Sequence, residues 1–188
     1  EQKELIPLPK QNVDTGAGLE RVTMMLQGKL SVYETDGFAP ILNAAARLVG
    51  TTYGGDAKTD YSLRVIADHS RGVAFLVGDG VVPGNEGRGY ILRRVLRRAV
   101  RHGRLLGLDR PFLREMAGVV IERMQGAYPE LKQRRDFFLK LIELEENRFQ
   151  QTLNVGLNVL DEVVQRTKAH ALGATAAGTS TVTATLSL

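Results

Sequence analysis

The chain has 188 residues, a net charge of +4 and no cysteine, which excludes disulfides, thiolate zinc sites and a cysteine nucleophile. A hydrophobic content of 43% is enough for a packed core. No run of about 18 apolar residues occurs, so no helical membrane span is expected.

The length suits one or two domains. The opening residues, EQKELIPLPKQ, are neither a signal nor a transit peptide. They do not begin with Met, and the chain is expected to be a piece of a longer protein. Pro7 and Pro9 followed by KQNVD predict a strand ending near Asp14. A helix is expected from about Gly18 to Gln27, with Gly28 as its stop. Thr35 or Asp36 should cap the next helix, which runs through PILNAAARLVG to Gly50. TTYGGDAKTD, residues 51–60, reads as a polar loop, and a helix from Ser62 to about Gly78 follows. GDGVVPGNEGRGY holds too many glycines for regular helix and is expected to be a shaped loop.

That loop leads into the most informative stretch, GRGYILRRVLRRAVRHGR. It carries Arg88, Arg93, Arg94, Arg97, Arg98, Arg101 and Arg104 and no carboxylate. A run of one charge repels itself unless a polyanion neutralises it. Ile91, Leu92, Val95, Leu96, Ala99 and Val100 alternate with the arginines at helical spacing, so the segment is an ordered amphipathic helix. The arginine fork suits bidentate phosphate recognition, which points to nucleic acid. Arg93, Arg97, Arg101 and Arg104 share a stripe, flanked by Arg94 and Arg98. Some of these arginines should pair with Glu115, Glu122 or carboxylates of the last helix; the competing reading makes all of them a solvated face with structural ion pairs.

The helix should stop near Gly103 or Gly107. Another is expected over 110–126, and a long last helix over Glu130–Lys168 with Phe138, Ile142, Phe149, Leu153, Leu160 and Val164 as its apolar stripe. Residues 169–188 are low in complexity and are expected to be disordered or to belong to something not native to the fold.

Two further constellations carry chemistry. Asp14-Thr15-Gly16-Ala17-Gly18-Leu19-Glu20-Arg21 places glycines at a strand-to-helix turn, where a ligand can approach backbone closely. The same residues also describe a plain tight turn capped by Asp14 or Thr15. Asn85, in the loop before the arginine helix, offers a donor and an acceptor that could read a base edge in the accessible minor groove of A-form RNA; a left-handed turn residue is the alternative. His69 and His102 are too isolated for a metal site and suit packing or surface roles, and no bound metal is expected.

In this order, NVDTGAGLERV, YETDGFAPI and RVIADHSRGVAFLVGDGVVPGNEGRGYILRRVLRRAVRHGR resemble alanyl-tRNA synthetase, over about residues 5–168. The resemblance implies a mainly α fold: a helical tRNA-recognition domain preceded by a short strand-to-helix remnant of an α+β class II catalytic domain. Residues 1–28 would end the catalytic domain, 29–168 would form the tRNA-recognition domain, and 169–188 the tail. DTGAGLER is similar to motif 3 of the class II synthetases. That implies ATP, with Mg2+, held by Arg21 beside Gly18, and the ammonium of alanine held by Asp14 in a pocket that Gly16 helps to form. Asn85 would contact the G·U wobble pair of the tRNA acceptor stem. Arg88, Arg93, Arg94, Arg97, Arg98 and Arg101 would hold the surrounding backbone, an assignment from charge. Nothing here resembles motifs 1 and 2, the Tyr-Asp-Thr-Tyr-Gly-Phe-Pro-like signature, or the editing and C-terminal domains. The implied reading is part of a cytoplasmic alanine–tRNA ligase that should not form alanyl-adenylate unaided. The alternatives are a non-catalytic tRNA-binding module, a helical DNA-binding protein, and a scaffold whose arginines pair internally.

Overall fold

A computed structural model describes residues 7–10, 12–13 and 15–176, with side-chain surroundings described as far as residue 168. The described part is mainly α, with seven α-helices: α1 Leu19–Leu26, α2 Ala39–Val49, α3 Ala57–Gly78, α4 Gly87–Leu105, α5 Leu113–Met124, α6 Glu130–Gln133 and α7 Arg135–Ala176. A short 3-10 turn, Val32–Glu34, sits between α1 and α2.

The core forms around α3, which packs against α4, α5 and α2. Its buried residues Leu63, Ile66, Val73 and Val77 recur at helical spacing, as the sequence pattern requires. From α4, Leu92, Leu96, Ala99 and Val100 enter the same core. Met116, Val120 and Ile121 of α5 complete it, and Phe138 and Ile142 of α7 close one side. Burying a leucine such as Leu92 or Leu96 contributes roughly 1.5–3 kcal/mol. The basic helix is therefore anchored by its apolar face.

Several boundaries depart from expectation. Among the described residues no strand is present; Pro7–Lys10, Asn12, Val13 and Thr15–Gly18 are bends and irregular chain. With prolines at positions 7 and 9, the segment lacks two of the donors that a ladder needs. Asp14 lies outside the described residues. Helix α3 begins at Ala57, not Ser62, because Asp56 caps it by accepting the Thr59 N–H at 2.8 Å. Thr35 does not cap α2 with its side chain. Its backbone carbonyl accepts the Phe38 and Ala39 N–H groups, while its hydroxyl donates to the Val32 carbonyl at 2.7 Å.

The glycine-rich loop is also shorter than expected, since Gly87–Tyr90 already form the first turn of α4. Gly89 is needed there: a Cβ would lie 2.6 Å from the Val82 carbonyl oxygen and 2.8 Å from the Gly84 nitrogen. Helix α4 runs on to Leu105, and the left-handed turn after it falls on Gly107, at φ +86. Gly103 lies inside the helix against Phe112.

The expected last helix is two, broken at Arg134 between α6 and α7. Of its apolar stripe, Phe138 and Ile142 are buried and Phe149 and Leu153 partly so, whereas Leu160 and Val164 are exposed. The packing partners of α7 cover only its first part. Its backbone continues past Lys168 to Ala176; residues 177–188 lie outside the described residues.

Candidate nucleic-acid interface

The amphipathic pattern of α4 sorts its arginines by height above the core. Arg88, Arg94, Arg98 and Arg101 are exposed, while Arg93, Arg97 and Arg104 are half-buried. The expected stripe of Arg93, Arg97, Arg101 and Arg104 keeps its spacing on α4, but its members differ in exposure. Arg93 and Arg97 lean towards α7, where both meet Glu145. The Arg93 Nε donates to Glu145 Oε1 at 2.8 Å, with Nη2 3.4 Å from Oε2. The Arg97 Nη2 reaches Oε1 at 3.4 Å, and its guanidinium stacks 5.0 Å from the Phe149 ring centre. Arg97 Nε is buried and has no hydrogen-bond partner among the described residues.

Arg104 pairs with Asp109 at 3.1 Å. Arg98 donates to the Tyr61 hydroxyl at 3.0 Å. Glu115 and Glu122, expected as partners of α4, pair instead with Arg110 and Arg135. Arg88, Arg94 and Arg101 have no ion-pair partner among the described residues. Exposed and uncompensated, these three are the strongest candidates for phosphate contact.

Asn85 is exposed in the loop that feeds α4. Its side-chain Oδ1 accepts a hydrogen bond from Nη1 of Arg93. Its backbone φ is not positive, so it is not a left-handed turn residue. The loop thus exposes an amide and α4 exposes four arginines, with Tyr90 and Ile91 also exposed on the first turns of the helix. A cleft of about 480 Å3 opens beside it, lined by Val82, Pro83, Glu145 and Arg148 among others. A second concavity, of about 440 Å3, lies next to Arg98 and includes Tyr33, Tyr61, Arg64 and the Asp68–His69 pair.

The titratable groups nearby are held by packing. His102 is buried and shares a 3.0 Å hydrogen bond with the Ser62 hydroxyl. Burial lowers its pKa, and the cations Arg98 and Arg101 lower it further. Of the packing and surface roles expected for the histidines, His102 takes the packing one. His69 meets the carboxylate of Asp68 at 3.2 Å; that hydrogen bond is the main cause holding the Asp68 pKa below its ordinary value. Among the described residues no group of three His, Asp or Glu side chains could hold a metal ion.

The glycine-rich turn before α1 is open. Thr15, Gly16 and Gly18 are exposed, the last with extended backbone, and Arg21 is exposed one turn into α1. Gly18 occupies the helix N-cap without a side-chain cap. A Cβ there would sit 3.4 Å from the Arg21 side chain, an ordinary contact. Glu20 ties α1 to α3 through Arg71 at 2.6 Å.

Residues 1–179 match the family described as tRNA synthetases class II (A). An alanine–tRNA ligase of Dehalococcoides mccartyi is 57% identical over 161 residues, which cover 86% of this chain and 18% of that relative. The alanine–tRNA ligases of an Anaeromyxobacter species and of Geobacillus thermodenitrificans are 53% and 52% identical, with the same coverage of 86% and 18%. The chain belongs to the class II alanyl-tRNA synthetase family. It spans about 18% of the length of the curated relatives it matches.

Carboxylates were the residues least visible from sequence. Glu145 and Glu146 are adjacent and both buried, at 5% and 0% exposure. The expectation of an arginine partner on the last helix is met by Glu145. Nothing pointed to Glu146, which accepts the backbone N–H groups of Phe112 at 2.9 Å and Leu113 at 3.0 Å. A pair of adjacent glutamates in a helix rich in them looks solvated, and only packing shows otherwise.

Proposed function

We propose that this chain is the acceptor-stem-recognising part of an alanine–tRNA ligase and carries a fraction of its ATP and alanine site. One observation bears most weight: a loop amide, Asn85, stands at the mouth of a helix whose exposed face carries Arg88, Arg94, Arg98 and Arg101. Phosphate contacts would fix register, and the amide would read the G·U wobble pair from the minor-groove side. Arg93 and Arg97 support this surface from behind rather than lying on it.

At the other end, Arg21 and Gly18 would contact ATP, while Asp14 and Gly16 would contact alanine. ATP enters as substrate with Mg2+. In the whole ligase the alanine carboxylate attacks the α-phosphorus of ATP, and pyrophosphate leaves. A ribose hydroxyl at the tRNA terminus then takes the alanyl group and AMP leaves. Catalysis in such a reaction is mainly positioning and phosphate charge stabilisation.

The test is binding of this chain to an alanine-type acceptor-stem hairpin and to its G·C counterpart across a salt series. Tighter binding to G·U, lost on Asn85→Ala with the salt slope unchanged, is the expected result. Salt-dependent binding without preference would confine the chain's role to backbone contact. No binding to either would favour the scaffold reading.

A further inference from the structure

Asn85 could in principle present either end of its amide to a nucleic acid. Here the choice is made by its neighbour. Arginine carries donors and no acceptor, so the atom facing Nη1 of Arg93 must be Oδ1 of Asn85. The Nδ2 group is then turned away, with no hydrogen-bond partner among the described residues.

Arg93 is itself held. Its other edge, Nε and Nη2, forms a two-pronged contact with the Glu145 carboxylate. Glu145 is 5% exposed and the Arg93 side chain 16%. Leu92 on α4 and Ile142 on α7, both in the core, fix the two helices that carry the pair. A chain of contacts therefore runs from the packed interior through a shielded carboxylate and a planar guanidinium to one exposed amide. A lysine could supply the charge but not the fork.

We propose that Arg93 and Glu145 are positioning residues that lock Asn85 with its amide NH2 outward, so that the loop reads an acceptor atom. In an A-form minor groove that atom is a pyrimidine O2, a purine N3 or a ribose 2′-oxygen, and not the guanine 2-amino group, which is a donor. This inference rests on the reading of Asn85 given above and states which half of the amide does the reading.

A double-mutant cycle tests it. Arg93→Lys and Glu145→Gln are each made on the Asn85 and on the Asn85→Ala background, and the preference for the G·U over the G·C hairpin is measured. On the Asn85 background each change should lower that preference roughly five-fold or more, the low end for a single base-edge contact. On the alanine background neither should change it further. A merely structural role would act equally on both backgrounds, and that result, or an intact preference in Arg93→Lys, overturns the inference.

The Asn85 side-chain amide is also followed in the 15N-labelled free chain. It should be ordered in the parent and mobile in both variants; a mobile amide in the parent overturns the inference whatever the RNA result. If Asn85→Ala leaves RNA preference unchanged while the amide is ordered and released by both variants, the positioning stands and the base-reading role of Asn85 falls.

Discussion

Seven arginines in one short stretch look equivalent in sequence, but the fold divides their labour. Arg88, Arg94 and Arg101 keep their charge exposed, whereas Glu145 partly compensates Arg93 and Arg97. Arg94→Ala or Arg101→Ala should each lower the slope of log K against log salt by about 0.7–1 if that residue contacts a phosphate. Arg97→Ala should lower it less, because the side chain points at Glu145 and Phe149; titrations at several salt concentrations would check the order. The second single-residue device is Glu146. Its burial raises its pKa to about 7, against the pull of the two backbone donors that favour the charged form. A raised carboxylate pKa means that the folded chain holds more protons than the unfolded one between the ordinary value of 4.5 and about 7. Stability should therefore fall as pH rises through that window, by roughly 1–3 kcal/mol. Denaturant unfolding at pH 5 and pH 8 should show a smaller difference between the two conditions in Glu146→Gln than in the parent.

Two glycines carry the geometry of the elements. Gly103 is buried in α4, and a Cβ there would lie 2.3 Å from the Phe112 ring. Gly103→Ala should cost about 1–3 kcal/mol through overpacking, despite the better helix propensity of alanine. Thermal unfolding would measure it, and a neutral result would mean that Phe112 can withdraw. Gly89 closes the loop on the backbone of Val82 and Gly84, which no side chain can yield to. Gly89→Ala should thus move the loop that carries Asn85 and weaken G·U preference more than it weakens overall RNA binding. Helices and their apolar faces were legible here because periodicity reports burial directly. Their ends were less so: the start of α3 depends on an Asp56 cap that looked like one polar residue among several. The break at Arg134 interrupts a pattern that reads as continuous.

For the molecule as a whole, burial falls off along α7. Phe138, Leu139 and Ile142 are in the core, whereas Val155, Val159, Leu160 and Val163 are exposed. Amide exchange should be slow around residues 138–146 and much faster over 155–168, since local opening follows the density of buried contacts. Uniform protection along the helix would instead indicate that its outer part is covered in solution. The mixed character of this helix could not be read from its apolar stripe, which continues with the same spacing beyond the residues that have anything to pack against.

Some of this was decided by sequence alone. The apolar positions of α3 and α4 dictate which faces are buried, and the density of arginine dictates that one surface is strongly basic, because both follow from local spacing. The ordered motifs also carry the family. Tertiary structure decided the rest: which arginines are spent inside, that Glu145 faces two of them, that Glu146 caps α5 from a distant helix, and which end of the Asn85 amide is held. The carboxylate contacts join residues more than thirty apart in the chain, and a carboxylate's partner depends on how helices pack rather than on its neighbours in sequence; Asn85 and Arg93 are only eight apart, but the arginine is aimed by Glu145.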